Sequence, residues 1–191
     1  MLTTARLPMF TLAALLALVA APTYAEPAVE PVMAGPAIGS VAPGVKLPGL
    51  DGQLVDLGEV YEAGDTVLVV LRGYPGYQCG ICSRQVTAFL TVAQEFAKAD
   101  VQVVMVYPGP TMGLSDKAEE FLAGKTLPEP ITMVLDPDYA FTDAYNLRWD
   151  APRETAYPST FVIAKGGKIE WAKISKTHGG RADVQEVLGA L

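Results

Sequence analysis

Apolar residues along the chain form short continuous runs that are separated by stretches with helical spacing. The runs 66–71, 101–106 and 131–135 are rich in β-branched residues and predict buried strands. Between the first two runs the apolar spacing predicts a helix over about 82–98, and a short amphipathic helix is predicted over 114–123. A strand, a helix and a second strand at this spacing predict a parallel βαβ unit with a right-handed crossover.

The pattern changes in the last part of the chain. The apolar segments 160–164 and 168–174 are separated only by Lys165-Gly166-Gly167, which predicts an antiparallel hairpin, and apolar spacing over 184–191 predicts a final amphipathic helix. Nearer the N-terminus, Asp51-Gly52 lies between short extended pieces and predicts an edge β-hairpin. The predicted fold is therefore α/β: a central mixed sheet with a βαβ half and a ββα half, flanked by helices, and an N-terminal β-hairpin.

The N-terminal residues have a different composition from the rest of the chain. An apolar run over 9–21 follows a basic residue and leads to a small-residue pattern that ends at Ala25, as in a signal-peptidase site. We therefore predict a cleaved secretory signal over residues 1–25, a Pro- and Ala-rich linker over 26–37 and one domain over 38–191. The apolar run is shorter than the roughly twenty residues that span a bilayer, so we expect no membrane-spanning segment after cleavage.

Both cysteines of the chain, Cys79 and Cys82, lie where the first buried strand is followed by the long helix. The first turn of a helix presents unpaired backbone N–H groups and the positive end of the macrodipole, which stabilise a thiolate relative to a thiol. With only two intervening residues, the sulfurs can close and reopen a disulfide within one fold. The spacing predicts a reversible, redox-active pair.

Two other interpretations of the cysteines are weaker. A structural zinc ion usually takes four ligands, and beyond Cys79 and Cys82 the chain offers one histidine, His178, and carboxylates. A purely structural disulfide would close so short a loop that it would stabilise the fold little. We therefore expect neither a metal nor another cofactor.

The net charge of the protein and its predicted export limit the kinds of molecule that it is expected to bind. The chain carries 14 Lys and Arg against 21 Asp and Glu, a net charge of −7, and loss of Arg6 with the signal gives 13 − 21 = −8. So acidic a protein is not expected to bind nucleic acid. An exported protein with one Cys-x-x-Cys pair is expected in the periplasm or outside the cell, where an electron donor must keep the pair reduced.

Three segments of the domain match, in order and spacing, motifs of one superfamily. Residues 39–43 together with 50–53 resemble the opening of peroxiredoxin domains, and 75–82 resembles their Pro-x-x-x-Thr-x-x-Cys loop, with Cys79 where threonine is usual. Residues 157–161 resemble the thioredoxin strand that follows a cis-proline. Residues 38–191 therefore resemble the thioredoxin-like superfamily, specifically its redoxin branch of alkyl hydroperoxide reductase and thiol-specific antioxidant proteins. The resemblance implies a thioredoxin-like fold and a cis peptide between Tyr157 and Pro158.

The departures from these motifs define further candidate residues. Pro158 stands where peroxiredoxins carry an arginine that polarises the peroxide, which implies slow peroxide turnover. Gly73 stands at the place of the buried aspartate of thioredoxins, and Gln78 at the place of their tryptophan. Arg72 is a candidate to stabilise a thiolate by its charge, or a solvated arginine at a strand end. Tyr77 is a candidate for the aromatic rim of the site, or a core residue.

Three polar residues from the last third of the chain are further candidates for the site. His178 follows the last strand, whose end lies at the same sheet edge as the cysteine loop in a thioredoxin-like fold, so it is a candidate proton shuttle, with helix capping or exposure as alternatives. Arg148 and Arg153 are candidates to bring a guanidinium to the site, with solvated surface positions as the alternative. The candidate substrate-groove or supporting residues are Tyr157 and Pro158, together with Tyr77, Arg72 and His178.

The sequence is compatible with three functions. The first is thiol-disulfide exchange with a protein substrate, in which the more exposed Cys79 attacks and Cys82 resolves the mixed disulfide. The second is a thiol peroxidase, in which Cys82 attacks a hydroperoxide and Cys79 resolves the sulfenic acid. The third is a non-catalytic binding domain on the same scaffold. Both enzymatic functions require an electron donor.

Overall fold

A computed structural model describes Met1 and residues 35–191. The predicted signal over 1–25 lies outside the described residues except for Met1, and the predicted linker over 26–37 lies outside them up to residue 34. In chain order the elements are β1 (Lys46–Pro48), β2 (Leu54–Asp56), α1 (Leu57–Ala63), β3 (Thr66–Val70), α2 (Gly80–Thr91), α3 (Ala93–Lys98), β4 (Gln102–Gly109), α4 (Leu114–Leu122), β5 (Ile131–Pro137), α5 (Ala140–Ala144), β6 (Ser159–Ile163), β7 (Ile169–Ile174) and α6 (Val184–Leu188).

Five strands form the central sheet in the order β5-β4-β3-β6-β7. The strands β3, β4 and β5 are parallel to one another, whereas β6 runs antiparallel to both β3 and β7. A βαβ half and a hairpin half therefore meet at β3. The mixed sheet is confirmed, as is the separate N-terminal hairpin, in which β1 pairs with β2.

The central strand β3 is covered on both sides. All five of its residues are buried, and successive side chains point to opposite faces of the sheet. Val67 and Val69 pack in the core formed with α2, α3, α4 and α6, while Leu68 and Val70 pack in the core formed with α1 and α5. The cysteine loop leaves β3 at its carboxyl end, between these two layers.

The helices differ from the predicted ones at two places. The helix predicted over about 82–98 is interrupted at Val92, between α2 and α3. The Thr91 hydroxyl donates to the Thr87 carbonyl inside α2, a bond that bends helices, and the β-branched Val92 disfavours continuation. The second difference is α1, which the apolar pattern did not predict; it begins where the Asp56 carboxylate accepts the N–H groups of Gly58 and Glu59.

Gly73 fixes the start of the cysteine loop against β4. Its φ of +67° is left-handed, and a Cβ at this position would overlap the Pro108 carbonyl, to which the Tyr74 N–H donates at 2.9 Å. We predict that Gly73→Ala lowers the free energy of unfolding by about 1–3 kcal/mol from backbone strain alone. The overlap of the new Cβ with the Pro108 carbonyl should lower it further. Urea denaturation measures the change. The matched control is Gly52→Ala, where φ is +79° and no atom lies near the added Cβ; equal losses in the two variants would contradict the overlap.

Candidate active site

Cys79 and Cys82 are joined in a disulfide at the first turn of α2, with their Cα atoms 5.2 Å apart. Cys79 is the N-cap residue of the helix, and its sulfur accepts the N–H of Cys82 at 3.2 Å. Cys79 is 5% exposed, whereas Cys82 is fully buried. The chain therefore brings both sulfurs to the positive end of a helix, with Cys79 the more accessible of the two.

The guanidinium of Arg181 lies against both sulfurs. Its Nη2 is 3.2 Å from Cys82 Sγ and 3.8 Å from Cys79 Sγ. Two neutral acceptors hold it there: Nε donates to the His178 carbonyl at 2.9 Å, and Nη1 donates to Gln85 Oε1 at 2.8 Å. Arg181 forms no ion pair with a carboxylate of the described residues.

In the oxidised protein, the charge of Arg181 is therefore not offset by any carboxylate of residues 35–191. Burial and, to a smaller extent, the neighbouring positive charge of Arg72 together lower the pKa of Arg181 to about 10. The side chain is still protonated at neutral pH. After reduction of the disulfide, a thiolate on Cys82 or Cys79 would be its counter-ion, and an opposite charge at this distance favours the ionised form of an acid.

Arg181 is the functional residue that the sequence pattern did not reveal. Pro158 stands at the place of the peroxiredoxin arginine, and the guanidinium candidates from the sequence, Arg72, Arg148 and Arg153, have no described contact with a sulfur. Arg181 supplies the guanidinium from a different segment, between β7 and α6. The available signal was its position three residues after His178, in a segment already expected at the cysteine edge of the sheet.

Arg72 is buried rather than solvated, with 2% of its surface exposed. Its Nε lies 2.5 Å from Glu154 Oε2, and its Nη2 donates to the Tyr77 hydroxyl at 2.6 Å and to the Arg153 carbonyl. Its guanidinium carbon lies 4.8 Å from the centre of the Tyr77 ring. None of its described contacts is with a sulfur, so Arg72 fixes the loop around the disulfide, and Tyr77, 44% exposed, forms part of the rim.

Glu154 connects Arg72 to His178. The second oxygen of Glu154, Oε1, lies 3.0 Å from His178 Nε2. The His178 ring also lies 5.3 Å from that of Trp149, which stacks on Tyr157 at 4.7 Å. The imidazole thus lies at the cysteine edge of the sheet but contacts Glu154 instead of a sulfur. Its described link to the site is the backbone carbonyl that holds Arg181.

The expectation of a cis peptide at Tyr157–Pro158 is wrong. In the part of the chain that the structure describes, the cis bond is Glu129–Pro130. The Tyr157 N–H donates to the Leu147 carbonyl, and the Pro158 carbonyl accepts the N–H of Ser175. The backbone just before β6 is therefore trans, and its Tyr157 N–H and Pro158 carbonyl are already hydrogen-bonded to other residues of the protein.

The other candidates have no described contact with a sulfur. Gln78 donates to the Lys117 carbonyl and accepts from the Tyr107 hydroxyl, which ties the loop to β4 and α4. Arg148 lies over the Tyr139 ring at 3.8 Å and donates to backbone carbonyls. Arg153 is exposed.

Within the described residues, no group of three His, Cys, Asp or Glu side chains is placed to hold a metal ion. In residues 35–191 we also find no helix whose length and apolar character would allow it to cross a membrane.

Comparison with known proteins gives a family and a fold. The model of the Redoxin family matches residues 37–191. The search of curated proteins found no match. Among solved structures, a peroxiredoxin-like protein from Aquifex aeolicus aligns with a TM-score of 0.64 and 18% identity over 80% of this chain and 84% of its own. AhpC of Mycobacterium tuberculosis aligns with a TM-score of 0.62 and 18% identity over 81% of this chain and 90% of its own.

A third solved structure is a putative thiol:disulfide interchange protein, DsbE, from Chlorobium tepidum. It aligns with a TM-score of 0.58 and 23% identity over 81% of this chain and 97% of its own. At these identities the likenesses establish the fold alone, which is the thioredoxin-like fold that the sequence motifs implied.

Proposed function

Because the chain belongs to the Redoxin family, we propose that it is an exported thiol-disulfide oxidoreductase that works by opening and closing the Cys79–Cys82 disulfide. The observation that carries this proposal is the disulfide at the N-terminus of α2, with the uncompensated guanidinium of Arg181 against both sulfurs. Helix and guanidinium both stabilise the thiolate that attacks in such reactions.

The reaction starts from the reduced pair. The Cys79 thiolate attacks a sulfur of the substrate disulfide, forms a mixed disulfide and releases one substrate thiolate. The Cys82 thiolate then attacks Cys79 Sγ and releases the second. Two electrons pass from the protein to the substrate, and an electron donor restores the dithiol. The burial of Cys82 supports its role as the resolving cysteine, since it reaches Cys79 without contacting solvent.

A specific contact favours peroxide reduction as the second candidate function. Arg181 Nη2 is closer to Cys82 Sγ, at 3.2 Å, than to Cys79 Sγ, at 3.8 Å. In this reaction the Cys82 thiolate attacks the terminal oxygen, the O–O bond breaks, and an alkoxide leaves and takes up a proton. Cys79 then attacks the sulfenic acid of Cys82, and water leaves. The expectation of slow peroxide turnover rests on a missing guanidinium, whereas this site contains that of Arg181.

Mass spectrometry of the protein from the cell envelope tests the proposal. We expect an N-terminus at Glu26, a mass lower by two hydrogens after oxidation, and two added alkyl groups only after reduction. Alkylation of both thiols after equilibration with oxidised glutathione would rule out a reversible pair, and an intact residue 1–25 segment would rule out cleavage. Single-turnover rates of the reduced protein with 2-hydroxyethyl disulfide and with hydrogen peroxide then rank the two activities. Absence of both reactions would support a non-catalytic domain.

A further inference from the structure

A cavity of about 220 Å³ lies between α2 and the segment that leads into α6. Its apolar wall includes Ile81 and Phe89, and its polar lining includes Arg84, Gln85 and Arg181. Arg181 is thus shared between the cavity and the reacting sulfurs. Sites for drug-sized ligands typically measure about 300–1,000 Å³, so this cavity suits a smaller group.

The charges in the cavity are predominantly positive. Among the described residues, the Arg181 guanidinium bonds to neutral acceptors and to the disulfide sulfurs. Nη1 carries two N–H groups, and its described bond to Gln85 uses one of them. Arg84 is exposed and has no ion pair within the described part of the chain. The one carboxylate in the lining, Asp183, accepts the N–H of Gln185 as the cap of α6.

The sign of this local charge is opposite to that of the whole protein. Residues 38–191 contain five arginines, whereas the chain as a whole carries −7. They are Arg72, Arg84, Arg148, Arg153 and Arg181. Of these, Arg72 is neutralised by Glu154, while Arg84 and Arg181 are not. An anion that approaches this acidic protein is therefore attracted at the cavity and repelled over much of the remaining surface.

We propose that this cavity binds the carboxylate of a small organic disulfide, so that anionic low-mass disulfides are a substrate class of the protein. The inference rests on the exchange reaction proposed above. A substrate carboxylate bound between Arg84 and Arg181 lies next to the guanidinium that contacts both sulfurs. A short link between the carboxylate and the sulfur of the substrate then brings that sulfur toward Cys79. The small exposed area of Cys79 also favours a small substrate.

The reaction balances without a further reactant. The Cys79 thiolate forms a bond to one sulfur of the organic disulfide, whose S–S bond breaks and releases a first thiolate. Cys82 then closes the protein disulfide and releases a second. The two electrons of the protein dithiol reduce one organic disulfide to two thiols, and the two protons given up by the cysteines end on those thiols.

The test compares three disulfides of similar size and different charge in single turnovers of the reduced protein. They are 3,3′-dithiodipropionate, which carries two carboxylates, neutral 2-hydroxyethyl disulfide, and cystamine, which carries two ammonium groups. Each rate is divided by the rate of the same disulfide with 2-mercaptoethanol. We expect the dianion to react at least about tenfold faster than the neutral compound, and the dication slower. Added salt should reduce the difference. The net charge of the protein alone would give the opposite order.

Variants and a competitor assign the preference to the cavity. Arg84→Gln should lower the ratio of anionic to neutral rates severalfold. Lys98→Gln removes an equal charge at an exposed position of α3, at the other end of the sheet, and should leave the ratio unchanged. Suberate, the analogue of dithiodipropionate with methylene groups in place of sulfur, should slow the anionic disulfide in the wild-type protein, and this measurement needs no variant.

The outcomes separate this inference from the exchange activity. Reaction with all three disulfides without a preference for the anion would overturn the anion site and leave the exchange activity standing. A preference that persists in Arg84→Gln and in the presence of suberate would overturn the assignment to the cavity. Failure of all three disulfides to react would overturn the exchange activity and, with it, the inference.

Discussion

Cys82→Ser is expected to accumulate as a mixed disulfide on Cys79 when the reduced variant meets 2-hydroxyethyl disulfide, whereas Cys79→Ser is expected to remain unmodified. The substrate can reach Cys79, which is the more exposed of the two. A substituent on the fully buried Cys82 would have to displace Arg181, which lies 3.2 Å from its sulfur. In Cys82→Ser no second thiolate remains to release the product, so the adduct persists.

Intact mass gives the answer directly, because the adduct adds one mercaptoethanol unit. Each variant should also lose steady-state turnover by more than about a thousandfold, since the two cysteines act as one unit. The double variant is the control for adducts elsewhere. If Cys79→Ser instead forms a sulfenic acid on Cys82 at micromolar peroxide, faster than the wild-type protein reduces a disulfide, the exchange assignment is wrong and the protein is a peroxidase.

The sheet could be predicted from the sequence because its signals are local. The run at 67–70 is apolar without interruption, as expected of a central strand covered on both faces, and the structure buries every residue of β3. The turn after β6 contains Gly166 and Gly167 with φ of +87° and +84°, a conformation that favours glycine. Buried strands and tight turns depend on residues that are close together in the chain, so the order of apolar and polar residues is enough to predict them.

The contacts of the site could not be predicted in the same way, because they join distant segments. The Arg181 guanidinium meets Cys82 across a separation of 99 residues, and Arg72 meets Glu154 across 82. From the sequence alone, an arginine at the end of a strand, such as Arg72, is expected to be solvated. In the folded protein, the loop that carries Glu154 buries Arg72. The wrong expectation at Pro158 has the same origin, since a motif match gives the residue but not its backbone bonds.

Arg181→Met is expected to slow the reaction of the reduced protein with a neutral disulfide by about tenfold or more at neutral pH. A positive charge within hydrogen-bond distance typically lowers the pKa of an acid by about 1–3, so its removal leaves a smaller fraction of the reactive thiol ionised. Loss of the positive charge raises the thiol pKa, and this direction determines how the rate changes with pH. A raised thiol pKa lowers the rate below that pKa, and the rate recovers as alkaline pH ionises the thiol. The profile of Arg181→Met should therefore shift to higher pH.

The fold should tolerate this substitution. Methionine keeps the apolar stem, and the variant removes a buried charge that no described carboxylate offsets, so we expect an unchanged or slightly higher urea midpoint. Arg181→Lys is the matched variant that keeps a positive charge, and it should recover part of the rate. A pH profile identical to that of the wild-type protein would show that Arg181 does not stabilise the thiolate.

The same variant separates the two candidate reactions at alkaline pH. Once the thiol is ionised in both proteins, the contribution of Arg181 to thiolate formation is gone, so the rates with a neutral disulfide should converge. In peroxide reduction through Cys82, the guanidinium would also donate to the oxygen on which charge develops, and loss of such a donor typically costs about a hundredfold to a thousandfold. A peroxide rate that stays low in Arg181→Met at alkaline pH, while the disulfide rate recovers, would identify Arg181 as a donor in peroxide reduction. Parallel recovery of both rates would limit its role to the thiolate, as exchange through Cys79 requires.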